Sequence, residues 1–249
     1  FLKMFAKALL KSEEARTFLH GCVVWMRQKF VGMYGEVLER IIKADTAATR
    51  KRYVELMPEA DVGEATVFCS HTWQAPFFDL IAMIAYTMPD ESTFVWLDIY
   101  AVRQWPGNGG DLDFKSIIQG TTGLLLCATH VEEVATLDDA AVFLGRCTTP
   151  EVALRACAFF RVWCLVELVT ALREEKAVVM LVGAADAEGT FVPNADMLNK
   201  LALLVDVRNA TASVPADKDR ILGEIETDPG FDRVNTLAKG ATVGAKKCM

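Results

Sequence analysis

Four short runs rich in β-branched, leucine and aromatic residues set the limits on how this chain can fold: Ala65–Ser70, Thr93–Asp98, Gly123–Ala128 and Ala177–Val182. None alternates apolar with polar residues, which marks strands covered on both faces rather than strands with one side in water. Helix-like segments separate them, at about Phe77–Thr87, Phe114–Thr121 and Ala153–Arg173. Strand and helix in alternation at this spacing predict an open parallel sheet with right-handed crossovers, an α/β fold with helices on both faces. An apolar content of 52% is ample for such a doubly covered sheet, and 24% charged residues is a globular value.

Residues 1–60 read as a helical segment preceding the sheet. Phe30, Met33, Tyr34, Val37, Leu38, Ile41 and Ile42 recur at three-four spacing, and Phe18 to Met26 extend the stripe backwards. The pattern predicts mainly one helix over 12–42, whose apolar face is covered by the core or by a partner. Lys3, Lys7 and Lys11 form a basic stripe that reads as a solvated face. The α/β domain is expected over 64–227, with a loop from Gly183 to Pro193 and helices near 197–204 and from 215 onward. A C-terminal extension, 228–249, ends in a small, polar stretch expected to be mobile.

A net charge of −7 without a basic block argues against nucleic acid as a partner. The most apolar stretch, Ala156–Leu172, carries Arg161 and Glu167, which makes membrane spanning unfavourable. Seven cysteines without repeated spacing suggest free thiols in an intracellular, reducing compartment. Phosphate-loop, nucleophile-elbow and zinc-helix motifs are absent; Gly107–Gly110 reads as a flexible loop, and Cys69-Ser-His71 as packing rather than a metal pair.

In an open parallel sheet, ligands bind beyond the carboxyl ends of the strands. That rule nominates Ser70, His71 and Trp73 after the first strand, Asp98 and Tyr100 after the second, and Thr129 and His130 after the third. Glu167 is the most informative residue. Its helical neighbours are Trp163, Cys164, Thr170 and Ala171, so its carboxylate loses solvation and needs either a partner (Arg155, Arg161 or a backbone group on the next element) or a task.

Trp163-Cys-Leu-Val-Glu-Leu168 resembles the W-C-x-x-E-L signature on the third helix of TIR (Toll/interleukin-1 receptor) domains. Ala65–His71 is similar to that family's first strand, and Val95-Trp-Leu-Asp98 to its second with the terminal aspartate. The likeness runs from about 64 to 183, and the region of 205–221 resembles TIR-like parts of algal and microbial multidomain proteins. Arg161-Val162 stands where the family carries a serine. The resemblance implies a flavodoxin-like sheet and an interaction module acting by self-association or in a larger assembly, with the N-terminal helices as docking surface. In many members it also implies cleavage of NAD⁺ as substrate, without a resident cofactor. Glu167 would then be the catalytic carboxylate, with Ser70, His71, Trp73 and Asp98 around the nucleotide.

Overall fold

The computed structural model describes residues 34–87 and 93–245. Its centre is a parallel sheet formed by β1 (Val67–Ser70), β2 (Val95–Trp96), β3 (Gly123–Thr129) and β4 (Ala177–Ala185). The order across the sheet is β2-β1-β3-β4, closed at one edge by the short antiparallel β5 (Phe191–Pro193). This is the flavodoxin-like order, so the expected fold class holds. The continuous apolar reading of β3 has a plain cause. Leu124, Leu126 and Ala128 face one core while Leu125 and Cys127 face the other.

The first core is lined by α2 (Phe114–Gly120), α3 (Val162–Arg173), α4 (Ala195–Leu204), α5 (Pro215–Thr227) and α6 (Phe231–Ala245). The second is covered by α1 (Phe77–Thr87) and by the helical turns Tyr34–Val37, Leu38–Ile42 and Lys43–Thr46. The middle one of these is π-helical, and all three follow one another without leaving helical backbone. Tyr34, Val37, Leu38 and Ile42 are buried against α1 and the strands. The described part of the N-terminal stripe is therefore covered by the chain's own core. The remainder of the helix expected over 12–42, with Phe30 and Met33, lies outside the described residues.

Three expectations need correction. The apolar run Ala153–Arg173 is not one helix: Glu151–Ala156 is followed by a 3-10 turn at Ala158–Phe160, and α3 begins only at Val162. Arg161 between them is extended and bridges to Thr211, with Val162 N–H donating to Thr211 O at 3.0 Å. No Gly or Pro marks that break, because a tertiary strand-like contact makes it. The loop expected over 183–193 is a hairpin. Gly183 sits so close to β5 that a Cβ there would lie 2.1 Å from Val192 O. The polar tail from Lys239 is helical as far as Ala245, in an α6 whose Val234 and Ala238 are buried in the first core.

Candidate functional site

The chain passes from β1 outward to β2 and then back across to β3, so its direction reverses beside β1. The crevice at the carboxyl ends of β1 and β3 is the place where such a sheet opens to a ligand. Ser70 closes β1 there and is 1% exposed. Helix α3 starts at the same rim, with the Cys164 thiol donating to His71 O at 3.1 Å. Glu167 follows one turn later on the same helix, buried at 7% exposure.

Neither arginine that could have neutralised Glu167 does so. Arg155 pairs with Glu151 at 3.2 Å, and Arg161 donates to Thr211 Oγ1 at 2.7 Å and Ser213 Oγ at 2.6 Å. Among the described residues, no lysine, arginine or histidine forms an ion pair with Glu167. Burial pushes its carboxyl up to about 8; the nearby Ser70 hydroxyl offsets part of this, and Asp98 adds repulsion. The Ser70 hydroxyl is close enough to favour the ionised form, yet it makes no hydrogen bond of normal geometry and is buried without a partner. The same burial raises the Cys164 thiol far above its usual value, so that sulfur packs as a neutral group.

Asp98 sits on the β2 side of this rim, held by two aromatic donors. Trp73 Nε1 donates to its Oδ2 at 2.7 Å, and the Tyr34 hydroxyl donates to its Oδ1. Tyr34 also accepts the Ile99 N–H at 2.9 Å and lays its ring 4.4 Å from the His71 imidazole. His71 Nε2 lies 3.5 Å from Asp98 Oδ1, too long for a hydrogen bond of normal geometry, and like Ser70 Oγ is buried with no hydrogen-bond partner among the described residues. Burial lowers the His71 pKa, with Asp98 and the Cys69 backbone pulling the other way. The imidazole is thus held neutral. Two orphaned buried polar atoms beside one unneutralised carboxyl are costly in a finished interior, and together they describe a place for polar groups of a ligand.

The structure therefore brings Ser70, His71, Trp73, Asp98 and Glu167 to one rim. Tyr100 is turned instead toward Tyr53, ring centroids 5.6 Å apart. Thr129 donates to Asp79 Oδ2 at 2.6 Å. His130 lines a separate open groove of about 310 Å³ with Gly183, Val192 and Asn194. Gly107–Gly110 is tied down rather than free: Asn108 donates to Arg103 O at 2.9 Å, and Asp111 takes Arg103 N–H at 3.0 Å and the Arg52 guanidinium. Among the described residues, no three His, Cys, Asp or Glu side chains cluster as metal ligands, and no helix is long and apolar enough to cross a membrane. Tyr34 is the member of the rim that strand-end reasoning misses. Its only sequence signal is its place in the apolar stripe.

No family model, curated protein or solved structure matches the chain.

Proposed function

We propose that this protein cleaves the N-glycosidic bond of a pyridinium nucleotide of the NAD⁺ type, with Glu167 as the catalytic carboxylate, in keeping with its resemblance to TIR domains. The observation that carries the reading is Glu167 itself: buried, at the switch of the sheet, beside the orphaned Ser70 hydroxyl, and without a cation among the described residues. A carboxylate already saturated by an arginine has little to offer a developing positive charge. This one is in the opposite condition.

In the reaction the C1′–N bond breaks with its electron pair leaving to the pyridinium nitrogen, so nicotinamide departs neutral and needs no general acid. The ribosyl centre gains oxocarbenium character, which Glu167 stabilises until water adds to C1′ and releases a proton to solvent. Ser70 and His71 offer their free polar atoms to the ribose hydroxyls. Trp73, 41% exposed with its Nε1 fixed on Asp98, presents a ring face for stacking. Burial that raises the Glu167 carboxyl to about 8 favours the neutral acid at pH 7. The cationic ring of the substrate favours the ionised form, so substrate and carboxylate charge reinforce one another.

The test is nicotinamide release from NAD⁺, followed by chromatography with the protein dilute and clustered. Wild type is expected to turn over, with kcat/KM rising with pH and levelling off above about 8. Glu167→Gln is expected to lose activity by a factor of about 10² to 10³. A wild-type protein that releases no nicotinamide in either condition ends this reading. It leaves the second one, an interaction module, for which the exposed Phe143 and Leu144 on the excursion between β3 and α3 are the supporting observation.

A further inference from the structure

The N-terminal helical turns do more than cover a core: they reach into the rim at one point. Tyr34 is completely buried, and its backbone N–H is fixed to Ala75 O at 3.1 Å. Its hydroxyl accepts from Ile99 N–H at 2.9 Å and donates its own proton to Asp98 Oδ1. That is the oxygen nearest His71 Nε2, 3.5 Å away. Trp73 occupies the other oxygen at 2.7 Å. Both oxygens of Asp98 are thereby engaged by donors other than His71.

We propose that Tyr34 is a positioning residue of this site: by holding the Asp98 oxygen nearest His71, it keeps the imidazole neutral, with Nε2 open to accept a hydroxyl of the bound ligand. The identity of that ligand rests on the nucleotide reading above; the arrangement of the three side chains does not. Without the phenol, Asp98 Oδ1 has no donor among the described residues, and the closest group able to supply one is His71 once Nε2 carries a proton, a state the neighbouring carboxylate favours. A protonated His71 closed onto Asp98 no longer accepts a hydrogen bond. The other titratable groups near His71 leave this balance to Asp98. From α3, Cys164 meets its carbonyl rather than its ring, and Glu167 lies a turn farther on beside Ser70; from β1, Cys69 contributes its backbone. Among the described residues, Asp98 has no lysine or arginine partner.

The experiment is a pH titration of the His71 ring by nitrogen-15 NMR in the full chain, assigned with His71→Gln, for wild type, Tyr34→Phe and Tyr34→Phe/Asp98→Asn. Wild-type His71 is expected to titrate below the ordinary histidine value. Tyr34→Phe is expected to raise its midpoint by about one pH unit or more, the effect of an opposite charge at contact distance. The double variant should return it to the wild-type value or lower, which places the route through Asp98. A midpoint unchanged in Tyr34→Phe overturns the proposal, as does a rise that survives in the double variant. If Tyr34→Phe does not fold, wild type decides. The Tyr34 hydroxyl proton should then appear as a slowly exchanging resonance in contact with the Ile99 amide, shifting upfield in Asp98→Asn, and its absence overturns the proposal. Where wild type releases nicotinamide, kcat/KM of Tyr34→Phe should fall at least tenfold at pH 6 and recover toward alkaline pH; a uniform loss across pH speaks for a merely structural tyrosine. A shifted His71 in a protein without turnover would retain the positioning role and remove the nucleotide reading, so the two fail separately.

Discussion

At the end of β3, Asp79 from α1 takes the Thr129 hydroxyl at 2.6 Å on one oxygen and the Ala185 N–H at 2.9 Å on the other. Beside it, His130 meets Glu132 at 3.0 Å and Asn194 at 3.2 Å through its two nitrogens. At the end of β1, on the same rim, Ser70 Oγ and His71 Nε2 have no partner and Glu167 has no cation among the described residues. Both places hold a buried carboxyl on a helix packed against the sheet. One is satisfied internally and ties α1 to the strands; the other is left unfinished by the described residues. The contrast shows that burial of an acid does not identify a site. What makes the β1 place the candidate is an acid whose hydrogen-bonding needs the described residues do not meet.

That contrast can be broken most easily by stability measurements. Asp79→Ala strands a buried hydroxyl and a half-buried amide, and is expected to cost about 2–4 kcal/mol in denaturant unfolding. Glu167→Gln, which strands no described partner, should stay within about 1 kcal/mol of wild type at pH 5. Equal losses in the two variants would erase the distinction. A smaller effect lies in the pH dependence. The folded pKa of Glu167, about 8, is above its ordinary 4.5, so the folded chain holds a proton that the unfolded chain has released. The stability tied to this group is fully present below pH 4.5 and is lost as pH rises through the folded pKa, at up to ~1.4 kcal/mol per pH unit. Melts at pH 5, 6.5 and 8 should show Glu167→Gln gaining on wild type toward pH 8, whereas Asp79→Ala stays below it throughout. A pH-independent difference would mean that Glu167 is ionised from the outset. Least affected should be His130→Ala, since its bond to Glu132 is a surface contact; a change within about 1 kcal/mol is expected by thermal melt. A larger loss would show that the β3 half depends on His130 as much as on Asp79.

The sheet was legible because its strands are apolar on both faces, a pattern that few other structures produce. Each run shifted by no more than a few residues at its ends. The hairpin to β5 was hidden because Phe191-Val-Pro193 is too short to show any period and ends in a residue suited to an edge. The break before α3 was hidden for a different reason: Arg161 leaves helical backbone to bridge Thr211, a contact 50 residues away. The rim residues Ser70, His71, Trp73 and Asp98 follow from strand ends, and Glu167 from a charge inside an apolar helix. Tyr34 meets Asp98 across 64 residues, and nothing local to either announces the pairing. Periodicity reveals which side of an element is buried, not what it is buried against.

The chain after β2 is fastened to the N-terminal segment repeatedly: Asp98 to Tyr34, Tyr100 to Tyr53, Trp105 to Thr46 at 3.0 Å, and Asp111 to Arg52. A surface loop ordinarily opens on its own and exchanges its amide hydrogens quickly. Here the Ile99 amide is bonded to Tyr34 and the Arg103 amide to Asp111, which Arg52 clamps in turn. The Ile99 hydrogen is released only when Tyr34 withdraws, and the Arg103 hydrogen is held through Asp111 that Arg52 braces, so loop and segment are expected to open together. The β2 side of the rim is therefore expected to exchange its Ile99 amide as slowly as a helix packed on a core, and an event that detaches Tyr34 frees Asp98 Oδ1 at the same moment.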